Sequence, residues 1–370
     1  MTLLLALPFG TSCHPAYSAD TRTPEAPLTG GTVLDLMERV ADWQLANPST
    51  HSSTDWTQGA LYTGMMALAG IARSPRFHDA MMRMGVANAW MLGPRPYHAD
   101  DHCVGQTYAE LYLLHRDPKM IAAMRERFDW ILANPKDDNL DFDEAKNPGR
   151  LDRWSWCDAL FMAPPAWLRL HVATGKQEYL DFMVERWWKT SAFLYDGEQH
   201  LYFRDSSYFD RREANGKKVF WSRGNGWVMA GLVRVLQYLP LLHPARARFV
   251  QQFREMAETL LSCQANDGLW RSSLLAPHDF PLREASGSGF HGYALTWGVN
   301  QGLLASDRFK PAVLEAWRGL VRCVTPEGKL SHVQPIGADP KSFDESATEV
   351  YGVGAFLLAG SEVYRLIKDG

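Results

Sequence analysis

The sequence predicts an all-α protein, and the arrangement that fits it best is an (α/α)6 barrel of six helical hairpins. Apolar residues recur at i, i+3 and i+4 in about twelve segments, which is the period of a helix with one buried face. Only the segment 201–204 has the pattern of a strand. Helices that begin beside aromatic or charged residues alternate with helices that begin after ordinary turns, and the pairs repeat every roughly forty to fifty residues.

The predicted helices follow one another with no long linker. In order, they span residues 31–45, 56–72, 75–90, 101–115, 118–133, 156–174, 177–192, 225–239, 245–264, 288–305, 310–323 and 346–366. Pro118 stands near the first position of one helix, and Pro240 separates two others. Such a series fits an open solenoid or a closed barrel. The clustering of Trp, Asp and Arg at alternate helix starts favours the barrel, whose inner helices begin at one rim around a ligand.

The composition is that of a globular protein with a large core. The chain has 370 residues, of which 46% are hydrophobic and 22% charged, and we expect one barrel domain over residues 20–370. A net charge of -4 argues against a nucleic-acid-binding protein, which needs a basic surface. The 14 tryptophans suit a carbohydrate protein, although a large helical core also uses them. No heptad pattern distinguishes a monomer from a homodimer.

Residues 1–19 resemble an export signal. An apolar run from Leu3 to Pro8 is followed at 16–19 by the small residues of a cleavage site, although no Lys or Arg precedes the run. Cys13 leaves a lipoprotein as an alternative. We expect a periplasmic or secreted protein without a membrane span, because no later apolar run reaches about 20 residues. The other cysteines form no CxxC pair and are expected to be buried free thiols: Cys103, Cys157, Cys263 and Cys323.

The segment 221–227 carries groups suited to an acidic sugar. Trp221 and Trp227 bracket Arg223. Tryptophan faces stack on sugar rings, and a guanidinium forks onto a carboxylate. Gly224 and Gly226 would let the backbone approach a ligand or turn sharply into the next helix. The alternative is a glycine-rich loop before a core helix with two core tryptophans.

The segment 152–165 places a carboxyl group in apolar surroundings. Asp158 stands at the predicted start of a helix, between Trp156 and Phe161. Partial desolvation there would raise the pKa of Asp158 toward that of a general acid. The alternative is an aspartate that caps the helix and offsets its dipole.

The segment 98–108 contains two adjacent carboxylates, Asp100 and Asp101, between His98 and His102. The histidines flank a helix start and do not share a helical face, so their spacing is weak support for a metal site. We therefore predict no catalytic metal and no cofactor. One aspartate is expected to cap the helix, and the other to face the ligand as a second carboxylate.

Together these segments resemble the unsaturated rhamnogalacturonyl hydrolases of glycoside hydrolase family 105, which are related to the unsaturated glucuronyl hydrolases of family 88. The resemblance runs from about Trp56 to about Leu366. It rests on a WxD motif at Trp156 and Asp158, followed by a WxRGxGW motif at 221–227. Further similar segments are 217–220, 286–290 with Tyr293, and 345–347.

The resemblance implies an (α/α)6-barrel enzyme that removes a 4,5-unsaturated uronic acid from the non-reducing end of a lyase-generated oligosaccharide. The expected substrate is pectic, of the rhamnogalacturonan type. In the family an aspartate protonates the enol-ether double bond, water adds at C5, and the resulting hemiketal collapses. Asp158 matches that aspartate. Asp100 matches the second aspartate by its spacing to Gly105, with Asp101 as the neighbouring candidate.

The resemblance implies that the residues of this chain that match the family's motifs contact the substrate. His98 is a further candidate for a substrate contact. The matching residues are Trp156, Trp221, Arg223 and Trp227. A histidine that the family carries before the second motif has no clear counterpart, and Arg204 or His200 is expected to take its place.

Three hypotheses compete: the unsaturated uronyl hydrolase, another sugar enzyme on the same barrel such as an ordinary glycosidase or an epimerase, and a non-catalytic sugar-binding or repeat protein. An ordinary glycosidase needs two working carboxylates across one bond, and Asp158 with Asp100 or Asp101 could supply them. A sugar epimerase on this barrel would use a pair of histidines, which the sequence does not show. A non-catalytic sugar-binding protein would have tryptophans without a desolvated carboxyl group among them, and Asp158 argues against it. The fold by itself does not decide, because this barrel hosts many activities.

Overall fold

The structure is a computed structural model, and it describes residues 28–368. Its helices, in chain order, are α1 (Gly30–Ala46), α2 (Trp56–Ala69), α3 (Arg76–Ala87), α4 (Ala99–His102), α5 (Gly105–His115), α6 (Lys119–Ala133), α7 (Ala159–Met162), α8 (Pro164–Thr174), α9 (Gln177–Leu194), α10 (Ser222–Leu236), α11 (Arg246–Cys263), α12 (Ala285–Asn300), α13 (Ser306–Val321) and α14 (Val350–Ile367). Strands β1 (Tyr195–Asp196) and β2 (Leu201–Tyr202) form a small antiparallel hairpin.

The helices form two layers around a closed ring. The inner ring runs α2, α5, α8, α10, α12 and α14, and α14 packs back against α2. The outer helices α1, α3, α6, α9, α11 and α13 each pack against at least one inner helix. This closure confirms the predicted (α/α)6 barrel and excludes the open solenoid. The one-turn helices α4 and α7 precede α5 and α8, and they pack against each other.

The inner helices are buried on nearly all sides, because each has neighbours in the ring and in the outer layer. Every residue of α10 is buried. The ring is tight enough to require glycines: a Cβ on Gly64 would lie 2.4 Å from the Gly354 carbonyl oxygen. A Cβ on Gly231 would lie 2.4 Å from the Leu160 carbonyl oxygen. Apolar sequence around the whole helix therefore marks the inner layer.

Three predicted helix starts are corrected by the structure. The helix predicted over 101–115 is divided into α4 and α5, and the one predicted over 156–174 into α7 and α8. The second division precedes Pro164 and Pro165, which have no N–H to continue a helix. The helix predicted from 225 begins at Ser222, so the motif 221–227 is not a glycine-rich loop. Its glycines serve packing, since a Cβ on Gly226 would lie 3.1 Å from the Phe290 Cβ.

The predicted leader at 1–19, including Cys13, lies outside the described residues. The cysteines within residues 28–368 are free; Cys103, Cys157 and Cys323 are buried and Cys263 is half-buried. By length and hydropathy α14 is the one helix in this range that could cross a membrane, but 78% of it is buried inside the barrel. A central core helix has the same properties.

Candidate active site

Asp158 occupies the N-cap position of α7, but its side chain makes no capping hydrogen bond. The carboxyl group is 12% exposed, and the Nε atom of Arg204 lies 3.6 Å from its Oδ2. Burial raises the pKa of Asp158, and the charges of Arg204 and Arg223 oppose that rise. The side chain is therefore placed as a desolvated carboxyl group, and the capping alternative is not what the geometry shows.

Asp100 is the second carboxyl group of the site. It lies in the first turn of α4, which packs against α7, and its side chain is 18% exposed. Burial, followed by the charge of Asp158, raises the pKa of Asp100 to about 8. Two carboxyl groups that repel each other in a poorly solvated site cannot both ionise easily. Burial and mutual repulsion therefore favour the protonated form of this pair.

Asp101 has a different environment from its neighbour. Its carboxylate is 5% exposed and accepts hydrogen bonds from the Arg95 guanidinium, at 3.1 Å to Nε and 2.6 Å to Nη2. It also accepts one from the Arg95 backbone N–H at 2.5 Å. With its oxygens engaged in holding the loop before α4, Asp101 is not available to a substrate, and the geometry favours Asp100 as the second carboxyl group.

The expectation that Asp100 or Asp101 caps this helix is wrong. The cap is His98, whose Nδ1 accepts a hydrogen bond from the Asp100 backbone N–H at 3.3 Å. His98 is buried with its ring 5.1 Å from that of Trp156. Burial, together with the charge of Arg95, lowers the pKa of His98 to about 4. A neutral His98 thus fixes the backbone on which Asp100 is carried.

Arg204 is the guanidinium that lies beside Asp158. Its side chain is 17% exposed and donates to Asp205 Oδ2 at 2.7 Å. The Arg204 carbonyl oxygen accepts from the Cys157 N–H at 2.8 Å, which ties this loop to the start of α7. The Arg204 Nε–H is buried and has no hydrogen-bond partner within residues 28–368. Of the two residues expected to replace the missing histidine, Arg204 is therefore the one at the site.

His200 lies in a different part of the molecule. It is the last residue of the β1–β2 turn, with Nδ1 3.1 Å from the Tyr195 hydroxyl and 3.7 Å from a Glu255 carboxylate oxygen. Glu255 belongs to the outer helix α11. These contacts hold the hairpin against the outer layer and give His200 no contact with Asp158.

Arg223 is only 1% exposed, and its guanidinium lies between two aromatic rings, 4.5 Å from the centroid of Trp221 and 4.9 Å from that of Tyr351. It donates to the backbone carbonyl oxygens of Gln334 at 2.5 Å and Pro335 at 2.9 Å. The sequence suggested the carboxylate of an acidic sugar as the partner of Arg223, and the structure shows loop carbonyl oxygens. Arg223 therefore holds the loop before α14 against the start of α10.

The three motif tryptophans are buried, so none of them offers an open stacking face. Trp221 donates to the Gln334 Oε1 at 2.9 Å, and Trp227 packs in the barrel core. Trp156 lies beside His98. Sequence analysis did not single out Trp56, which is partly exposed and stacks on Tyr351 at 5.2 Å. Its signal was its position as the first residue of an inner helix.

Neither a metal-ligand cluster nor another cavity offers an alternative candidate active site. Within residues 28–368 there is no group of three or more His, Cys, Asp or Glu side chains that could hold a metal ion. A cavity of about 710 Å³ is lined by residues that include Lys217, Cys263 and Asp267. The Asp267 carboxylate there is paired with Arg271 and Arg283, both at 3.0 Å, so it lacks the reactive character of Asp158.

The fold and the site define a class of protein: an (α/α)6-barrel glycosidase with paired carboxyl groups on α4 and α7, the one-turn helices that precede two inner helices. The comparisons give the family. The model of Glycosyl Hydrolase Family 88 matches residues 34–367, and the chain belongs to this family. This confirms the predicted resemblance.

Individual relatives are similar to this protein over most of its chain. An unsaturated 3S-rhamnoglycuronyl hydrolase of Alteromonas sp. (strain LOR) is 36% identical over 355 residues, covering 90% of this chain and 86% of that protein. A solved family 88 glycosyl hydrolase from Bacteroides vulgatus has a TM-score of 0.83 at 30% identity, covering 91% of this chain and 99% of its own. A solved chain named Polysaccharide Lyase has a TM-score of 0.84 at 32% identity, covering 92% and 99%. The protein is thus a glycosidase of the unsaturated-uronyl type.

Proposed function

We propose that this enzyme removes a 4,5-unsaturated uronic acid from rhamnose at the non-reducing end of lyase-generated oligosaccharides. The observation that carries the proposal is the pair of mostly buried carboxyl groups, Asp158 and Asp100, on two packed one-turn helices beside the partly exposed Arg204. Burial raises the pKa of both carboxyl groups. Hydration of an enol ether requires a proton donor to carbon, which the carboxyl pair supplies. The carboxylate of the substrate requires a cation, which Arg204 supplies.

The proposed reaction is a hydration of the double bond. Asp158 gives its proton to C4, and the oxygen of a water molecule bonds to C5 as the double-bond electrons move to the new C–H bond. The water loses a proton to the carboxylate pair. The resulting hemiketal opens by breaking the C5–O5 bond, which leaves a hemiacetal at C1 that expels the rhamnose hydroxyl. General acid catalysis of this kind contributes roughly 10²–10⁴ in rate.

Arg204 is proposed to bind the uronate. Its unpartnered buried Nε–H lies beside Asp158, where the carboxylate of a sugar with C4 near Asp158 would have to be. A charge-assisted bond from this N–H would satisfy it. Trp56, stacked on Tyr351 and partly exposed, is proposed as an apolar face for the sugar.

For the rhamnose we favour a 3-sulfated sugar over the pectic one that the sequence suggested. The Alteromonas relative, 36% identical over most of both chains, is named for a 3S-rhamnoglycuronyl substrate, and we take 3S to mean a sulfate at O3. The pectic disaccharide, an unsaturated galacturonyl–rhamnose, remains the second substrate to be compared.

Loss of ultraviolet absorbance by the conjugated double bond tests the proposal. Purified enzyme is incubated with unsaturated uronyl–rhamnose disaccharides, one 3-sulfated and one pectic, and absorbance is followed with product analysis. Absorbance should fall with release of rhamnose or rhamnose 3-sulfate. Unchanged absorbance with both disaccharides contradicts the proposal.

A lyase is the competing function, because one similar solved chain carries that name. A lyase forms the double bond by removing the C5 proton, so absorbance would rise on intact polysaccharide. The sign of the absorbance change therefore separates the two activities. A rise on saturated uronate polymers, with no fall on the disaccharides, would favour the lyase.

A further inference from the structure

The loop that carries Arg204 also carries a second cationic side chain, Arg211. One 3-10 turn, Ser206–Tyr208, follows Arg204, and the guanidinium of Arg211 lies 4.4 Å from the centroid of the Tyr208 ring. Arg211 is exposed, and no carboxylate within residues 28–368 forms an ion pair with it. Arg95, which is also exposed, differs in this respect because it pairs with Asp101 at 2.6 Å.

The backbone under Arg211 is held by local hydrogen bonds. The Arg211 N–H donates to the Tyr208 carbonyl oxygen at 3.2 Å. The neighbouring Arg212 donates from Nη1 to the carbonyl oxygens of Phe209 and Arg211, each at 2.8 Å. The side chain of Arg211 is thus presented from a fixed turn and rests on an aromatic face, which reduces the entropy lost when it binds an anion.

Tyr208 connects this group to the candidate active site. The phenol is buried, and burial together with the charges of Asp339 and Asp205 raises its pKa to about 12, while Arg211 and Arg204 oppose the rise. The Tyr208 N–H donates to the Asp205 carbonyl oxygen at 3.1 Å, and the Asp205 side chain accepts from Arg204 at 2.7 Å, so one hydrogen-bonded turn carries both guanidinium groups. Its hydroxyl makes no hydrogen bond with the residues 28–368 and can donate to a ligand.

We propose that Arg211 and the Tyr208 hydroxyl bind a sulfate ester on the sugar next to the unsaturated uronic acid. The proposal rests on the proposed function, which places the uronate at Arg204 and the following sugar farther along this loop. A sulfate ester stays ionised at every working pH and presents oxygens to a guanidinium fork and a phenol donor. Because Arg211 is exposed, solvent weakens the pairing, and we expect an effect of about tenfold in kcat/KM.

Substitution of Arg211 tests the assignment by differential loss. For Arg211→Ala, kcat/KM should fall about tenfold on the 3-sulfated disaccharide, mainly through KM, and stay near that of the wild type on the same disaccharide without sulfate. Tyr208→Phe removes only the donor and should give a smaller loss of the same selectivity. An equal loss on both disaccharides, or no loss on either, overturns the proposal.

Arg248→Ala is the matched control. Arg248 is also an exposed arginine over an aromatic ring, 3.7 Å from the centroid of Trp188, but it lies on the outer helix α11. This variant should keep wild-type kinetics on both disaccharides. A selective loss in Arg248→Ala as large as that in Arg211→Ala would indicate a general charge effect and contradict the assignment.

Binding of rhamnose 3-sulfate, measured by calorimetry or ligand-observed NMR, separates this proposal from the proposed function. If the wild type hydrolyses neither disaccharide but binds rhamnose 3-sulfate, and Arg211→Ala abolishes the binding, the function fails and the sulfate site stands. If the wild type hydrolyses the disaccharides and Arg211→Ala binds rhamnose 3-sulfate as well as the wild type does, the site fails and the function stands.

Discussion

Two mostly buried carboxyl groups, Glu110 on the inner helix α5 and Asp158 at the start of α7, differ in how their surroundings stabilise a negative charge. Glu110 accepts hydrogen bonds from Arg169 and Arg234, both at 2.7 Å. Burial would raise the pKa of Glu110, but Arg234 and Arg169 together hold it below its ordinary value. Asp158 has one arginine at 3.6 Å and no hydrogen bond from it, and its pKa is raised.

The difference shows which buried carboxyl group stabilises the barrel and which can react. The Glu110 cluster joins α5, α8 and α10, since Arg234 also donates to the Gln106 Oε1 at 2.6 Å and Arg169 donates to the Arg234 carbonyl oxygen at 3.2 Å. Its bonds are complete in the folded protein. At the candidate active site the buried Nε–H of Arg204 has no hydrogen-bond partner within residues 28–368, and burial raises the pKa of Asp158, so both groups are available to a substrate.

The largest expected effect is on turnover in Asp158→Asn. Asparagine keeps the shape of the side chain but cannot deliver a proton, so kcat should fall by roughly 10²–10⁴ while the melting temperature stays near that of the wild type. Absorbance assays and thermal melts measure the two. A folded variant with nearly normal turnover would remove Asp158 from the role of acid.

The opposite pattern is expected for Glu110→Gln. This change leaves two buried guanidinium groups without a counter-charge, and the free energy of unfolding should fall by roughly 3–5 kcal/mol. Turnover per folded molecule should remain close to the wild-type value, because Glu110 does not contact Asp158. Denaturant unfolding measures the free energy of unfolding, and active-site-normalised kinetics measure the turnover per folded molecule. If Glu110→Gln loses turnover and keeps stability, the comparison between the two regions is wrong.

Arg223→Lys tests whether a residue of the family motif binds substrate or holds the loop. A single ammonium cannot reproduce the fork onto the carbonyl oxygens of Gln334 and Pro335, a charge-assisted loss of roughly 1.5–3 kcal/mol. We expect kcat/KM to fall about tenfold to a hundredfold together with a lower melting temperature. Arg204→Lys is the control and should lose activity with little change in melting temperature. Lost activity without lost stability in Arg223→Lys would restore a direct role in uronate binding.

Sequence periodicity was sufficient for the layers of the barrel, because a helix buried on all sides and a helix buried on one side differ in their apolar pattern. The motif spacing also indicated the carboxyl pair. What it could not show is which polar atoms remain unpaired. Asp100 and Asp101 are adjacent in sequence, yet one faces Asp158 and the other is bound by Arg95, which depends on the tertiary course of the loop.

The same limit explains Arg223 and Trp56. The partners of Arg223 are backbone carbonyls more than a hundred residues later in the chain, and a carbonyl has no signature in sequence. Trp56 becomes relevant because ring closure brings α14, and with it Tyr351, beside α2. Both facts arise from closure of the barrel and not from local propensity.

The pH dependence should follow the carboxyl pair. The pKa of Asp100 is raised to about 8, so activity that needs the retained proton should fall as the pH rises through about 8. Stability changes in the same direction: the folded pKa lies above the ordinary value, so stability is lost as the pH rises toward it. Asp100→Asn carries no charge, and its melting temperature relative to the wild type should increase between pH 5 and pH 9. A constant difference would contradict the raised pKa.

The smallest expected effect is that of chelation. His98 and Asp100 are the nearest pair of potential ligands, with Nδ1 and Oδ2 3.7 Å apart, but His98 Nδ1 already accepts the Asp100 N–H at 3.3 Å. Asp101 is bound by Arg95, and the His102 Nε2 lies 2.8 Å from the Pro96 carbonyl oxygen. Protonation of carbon by a carboxylic acid needs no Lewis acid, so exhaustive chelation should leave turnover unchanged. Loss of turnover that zinc or calcium restores would show that a metal ion takes part in the reaction. Asp158 and Asp100 would then act as metal ligands.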